Sequence, residues 1–133
     1  MTSELRVTTL SNATGDGPAT LTQQSAAKGW IHFDGNDATP AANNSLNHSS
    51  ITDNATGDYS LTHTNAYTGT EYGILLTGGR YQSGSNVGGD MHVDDVEPTT
   101  TVARINSWRQ TNTNGEAASD VPNITATFFG DLA

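Results

Sequence analysis

The chain has 133 residues, enough for one domain of ordinary size and short for two. Fourteen acidic against five basic side chains give a formal net charge of −9 and a pI near 4.4, a surface that repels phosphate backbones and anionic lipid and so argues against nucleic-acid and membrane partners. Cysteine is absent, which excludes a disulfide framework and a thiolate metal site, and with 33% hydrophobic and 14% charged residues the chain reads as polar but folded.

Taken in chain order, Leu5-Arg6-Val7-Thr8-Thr9-Leu10 alternates with period two and predicts a first strand. It ends in the turn-rich stretch Asn12 to Pro18, where Gly15-Asp16-Gly17-Pro18 continues neither strand nor helix. Residues 1–20 are therefore expected to form an extended N-terminal arm or attachment strand, and residues 21–133 one domain. The sole helix candidate is a turn or two around Gln23 to Lys28. Trp30-Ile31-His32-Phe33 sets Trp30 and His32 on one strand face and Ile31 and Phe33 on the other, then stops at Asp34-Gly35-Asn36-Asp37. With bulk on both faces, this strand is expected to lie inside a sheet.

Ser50-Ile51-Thr52, a turn over Asp53 to Asp58, and the alternating Tyr59-Ser60-Leu61-Thr62-His63-Thr64 predict a β-hairpin. Gly73 to Thr77 is an apolar run of strand length that Gly78-Gly79 terminates, and Gly84 to Gly89 reads as a loop. Met91 to Val96 and Thr100 to Trp108 flank Glu97-Pro98, where proline breaks the ladder, and Ile124 to Phe129 is the last strand. Short strands with turns between them and no fixed repeat predict an all-β, antiparallel β-sandwich or jelly-roll-like barrel with little helix. Trp30, Ile31, Phe33, Ile51, Tyr59, Leu61, Ile124 and Phe128 are the candidates for core or subunit contacts. A chain of this size buries about two-thirds of its surface as a monomer, and one this polar gains from burying more in an oligomer.

Catalytic signals are missing. There is no Gly-x-Ser-x-Gly, no phosphate or dinucleotide loop, and the carboxylate pairs a glycosidase would need are expected by chance in a chain with 14 acids. The four histidines, His32, His48, His63 and His92, fall on different segments without helical metal spacing and read as polar or partly buried strand positions. Alternation does put Asp90, His92 and Asp94 on one strand face, the one candidate for a metal and specifically for Ca²⁺, although a solvated acidic strand explains them better. Asp53 to Asp58 lacks the ligand alternation of a Ca²⁺ loop, so no cofactor is expected. Trp30, Tyr59, Tyr67, Tyr72, Tyr81 and Trp108 offer either packing or a sugar-stacking platform, and the five Asn-x-Ser/Thr matches are compositional.

Two stretches carry a resemblance. Ser25-Ala26-Ala27-Lys28-Gly29-Trp30-Ile31-His32-Phe33-Asp34-Gly35, and Leu46-Asn47-His48-Ser49-Ser50-Ile51-Thr52-Asp53-Asn54-Ala55-Thr56-Gly57-Asp58-Tyr59, are similar to a family of tailed-bacteriophage virion proteins described as tail fibre or structural proteins. The family pattern runs Ala-Lys-Ala-Trp-Val-Asn-Phe-Asp-Gly, then Ser-Phe-Asn-Val-Ser-Ser-Ile-Thr-Asp-Asn-Gly-Thr-Gly-Asp-Tyr. Glu4 to Leu10, Leu21 to Gln24 and Ile124 to Gly130 also look like the ends of such proteins, while Tyr67 to Ala118 is poorly matched. Leu46, His48 and His63-Thr64 depart from the pattern, where Phe, Val and Asn-Phe are usual. The resemblance implies a non-enzymatic protein on the exterior of the virion, made in the host cytoplasm without a signal peptide. It implies a homotrimer partnered by other virion proteins, such as a major capsid protein or tail proteins, and in one role by a host-surface glycan. Without heptads, a collagen-like repeat or a long attachment domain, a capsid decoration (cement) protein is expected ahead of a short tail fibre or receptor-binding tip. A carbohydrate-binding module is the expectation from another class.

Overall fold

A computed structural model describes residues 26–79, 82–83, 86–87, 90–93, 98–110 and 115–133. The strands are β1 (Gly29–Phe33), β2 (Ala42–Leu46), β3 (His48–Ala55), β4 (Asp58–His63), β5 (Gly73–Thr77), β6 (Gln82–Ser83), β7 (Asn86–Val87), β8 (Asp90–Val93), β9 (Val102–Gln110), β10 (Glu116–Ala118) and β11 (Ile124–Phe129). Among the described residues there is no helix, so the all-β, antiparallel expectation holds. The first sheet has the order β2-β1-β11-β5, and the second β10-β9-β4-β3 with β8 also on β9; β6 and β7 pair as a ribbon of their own.

Alternation decides which side of each strand is buried. In β1, Ile31 and Phe33 are buried while Trp30 and His32 are half-buried on the other face; in β11, Ile124, Ala126 and Phe128 point inward. From the second sheet, Tyr59, Leu61, Ala103 and Ile105 join the same buried cluster, and Ile51 packs against it. Phe33 and Tyr59 meet edge to face across the two sheets, ring centroids 5.2 Å apart. As expected, β1 lies inside its sheet, flanked by β2 and β11.

Several expectations need correction. Ala26 to Lys28 is not helical, and the rest of that candidate lies outside the described residues, as do the Leu5 to Leu10 strand, the Asn12 to Pro18 turn and the whole arm at 1–20. The hairpin turn is tighter than Asp53 to Asp58: β3 runs on to Ala55 and β4 begins at Asp58, leaving Thr56-Gly57 as the turn. Gly57 makes this work, because its φ of 70° is costly for a side chain and an added Cβ would collide with the Ser107 carbonyl. Within Gly84 to Gly89, Asn86 and Val87 are strand, not loop. Strands β2 and β10 were not expected at all.

Candidate functional site

The residues of the first sheet that point away from the core form an unusual surface. Register aligns Leu46 of β2 with Trp30 of β1, Trp30 with Thr127 of β11, and Thr127 with Leu75 of β5, so these four side chains cross the sheet in one row on its outer face. Leu46 is 50% and Leu75 58% exposed, and Trp30 is half-buried between them. A second row, Asn44, His32, Thr125 and Thr77, runs beside it, and Phe129 opposite Gly73 extends the face on the other side. None of these ten positions is Asp, Glu, Lys or Arg, in a chain with 19 such residues (14 plus 5). Four strands about 4.8 Å apart and five residues at about 3.3 Å each give a face on the order of 300 Å² before side-chain relief. An uncharged face of that size, with Leu46, Trp30, Leu75 and Phe129 set among Thr, Asn and His, has the charge-depleted, aromatic-centred composition of an interface core.

The outer face of the second sheet is different. The Arg104 guanidinium grips Asp58 with both ends of its fork, Nε donating to Oδ1 at 2.8 Å and Nη2 to Oδ2, and this holds the Asp58 carboxyl below its ordinary range. Asp90 and His92 stand exposed on the same side, aligned with Trp108 and Asn106. Around the Thr56-Gly57 turn of this sheet the inward polar groups are tied down. Asp120 Oδ1 accepts from the Gly57 N–H at 2.7 Å and from the Tyr59 hydroxyl at 2.8 Å, and Ser107 Oγ donates to the Ser119 carbonyl at 2.6 Å. Burial, reinforced by the Asp120 carboxylate, raises the Tyr59 phenol far above its ordinary range.

At the opposite end of the core the polar groups are not tied down. His48 and His63 are cross-strand partners whose rings lie 4.8 Å apart, packed against Phe128 at 4.9 and 4.8 Å, with Tyr67 and Tyr72 closing the box around His63. All four ring nitrogens and the Tyr67 hydroxyl are buried with no hydrogen-bond partner among the described residues. The Thr62 carbonyl is near His48 without completing a bond, and the Asn47 side chain beside Tyr67 is committed to Asn65. Burial lowers both imidazoles to about 4; in His48 the charge of His63 acts in the same direction. Both rings are therefore neutral at pH 7, and burial raises the Tyr72 phenol to about 12.

Of the expected contact residues, Ile31, Phe33, Tyr59, Leu61, Ile124 and Phe128 are core, Ile51 flanks the core, and Trp30 alone faces outward. Asp90 and His92 share an exposed strand face, and Asp94 lies outside the described residues. Among the described residues no three His, Cys, Asp or Glu side chains gather to hold a metal. The aromatic residues form no single sugar platform either: Tyr59, Tyr67 and Tyr72 are buried, Trp30 and Trp108 lie on outer faces of different sheets, and Tyr81 lies outside the described residues. No protein-family model, curated protein or solved structure matches the chain.

Proposed function

We propose that this protein is a non-enzymatic structural component of the exterior of a tailed-phage particle, acting as a homotrimer whose subunits meet through the outer face of the first sheet. The observation that carries the reading is the row Leu46, Trp30, Thr127 and Leu75, three large apolar side chains and a threonine without formal charge on a chain of net charge −9. Two acidic copies that meet elsewhere bring carboxylates together, whereas here they bury Trp and Leu without like-charge repulsion. A face on the order of 300 Å² would be the uncharged centre of an interface of about 800 Å² per partner, with the edges of β2 and β5 as its rim.

The sequence resemblance in Ser25 to Gly35 and Leu46 to Tyr59 supports the phage assignment, and the lack of heptads or collagen-like repeats favours capsid decoration, with a major capsid protein as partner, over a tail fibre. Copy number per particle, counted by quantitative mass spectrometry, separates these roles. Hundreds of copies fit decoration; about a dozen would move the protein to the tail, where a host glycan becomes the expected partner.

A further inference from the structure

Buried polar groups in folded proteins are nearly always hydrogen-bonded, and leaving one without a partner costs about 1–3 kcal/mol. The end of the core around His48 and His63 concentrates four such nitrogens in two rings that face each other. From every packed element, the titratable groups facing the pair are few. They are His48 on β3, His63 on β4, and the phenols of Tyr67 and Tyr72 on the segment between β4 and β5; Phe128 from β11 adds only hydrocarbon. Glu71 and Asp131, the acids closest in sequence to Tyr72 and Phe128, are exposed. Among the described residues no carboxylate is seen to compensate a proton. A transition metal is a poor occupant, because no third His, Cys, Asp or Glu among the described residues joins the two rings.

Beside the pair is a way out. A cleft of about 340 Å³ opens between the edge strands β2 and β3, with His48, Ile31, Pro40 and Ile51 among its lining residues. Asn47, at φ 58°, turns the chain from β2 to β3 directly next to His48 and holds the adjoining segment: its carbonyl accepts from the Thr64 N–H at 3.1 Å, and its Oδ1 from the Asn65 N–H at 2.7 Å.

We propose that His48 and His63 form an acid-sensitive latch: while both are neutral they close the core under the Asn47 corner, and a proton on either ring drives His48 into the cleft and opens that corner. A charged imidazole in an aromatic box with no counter-charge among the described residues gains by reaching water, and two protons in facing rings repel each other as well. The direction in pH follows. The unfolded chain takes up these protons near pH 6.5 and the closed fold resists them, so stability is full above about pH 6.5 and falls as the pH drops towards 4. The Asp58–Arg104 pair acts in a separate window, its contribution being lost only below the ordinary carboxylate range near 3.8. The latch requires no assumption about assembly.

Urea unfolding of the full chain at fixed ionic strength between pH 7.5 and 5, with amide exchange followed by NMR, tests it. The unfolding equilibrium constant should rise roughly several hundredfold in the wild type and about thirtyfold in His48→Val, since each histidine contributes separately. Carboxylates common to both proteins cancel in that comparison. In the wild type, exchange at Thr64 and Asn65 should accelerate ahead of the strand amides of β1 and β11. An equal response in wild type and variant, or Thr64 and Asn65 amides that stay protected at pH 5, would overturn the latch. If His48→Val does not fold, the exchange measurement on the wild type decides alone.

Discussion

The two sheets share one core yet treat water in opposite ways. The first exposes Leu46, Trp30 and Leu75 in rows without formal charge, while the second shows water the Asp58–Arg104 pair, Asp90 and His92 and, around the Thr56-Gly57 turn, bonds its inward polar groups through Asp120 and Ser119. Hydrophobic burial alone would not divide the faces this way, because a lone domain gains by making both outer faces polar. On the proposed reading, the first sheet is the surface that a second copy covers and the second the surface that stays wet.

Three substitutions sharpen or break that contrast. Trp30→Glu should have the largest effect, weakening self-association at least about a hundredfold by equilibrium sedimentation, because it removes the aromatic anchor and puts a charge where copies meet. Monomer stability should move little, since Trp30 lies outside the core. A variant that still assembles would detach the Trp30 row from assembly. Tyr59→Phe addresses the interior of the second sheet. It removes a hydrogen bond to the Asp120 carboxylate and should cost about 1.5–3 kcal/mol by chemical denaturation, with assembly unchanged. Arg104→Ala on the wet face should be the mildest. An ion pair whose arginine side chain is 35% exposed is worth at most about 1 kcal/mol, so thermal unfolding should shift by only a few degrees.

Period-two alternation fits β1, β4, β9 and β11, where every second side chain faces the core, while β5 was legible as a short apolar run ended by Gly78-Gly79. Alternation failed for Ala42-Asn43-Asn44-Ser45-Leu46, an edge strand with no buried side chain and hence no pattern to read. The outward Trp30 followed from its phase against Ile31 and Phe33, but the row it joins depends on register across four strands, which local sequence does not encode. The histidine box was half visible: Tyr59, Leu61 and His63 share one phase, so His63 belongs on the core face. His48 was not visible. Extending the Ser50–Thr62 pairing would set it opposite Thr64, and the irregularity between His48 and Ser50 moves it opposite His63 instead.

The mass of the purified protein in native buffer at micromolar concentration tests the central claim most directly. The account requires a trimer of about three times 13.9 kDa that falls apart in Trp30→Glu. A wild-type protein that stays a stable monomer, with Trp30 equally exposed at every concentration by fluorescence quenching, would contradict it.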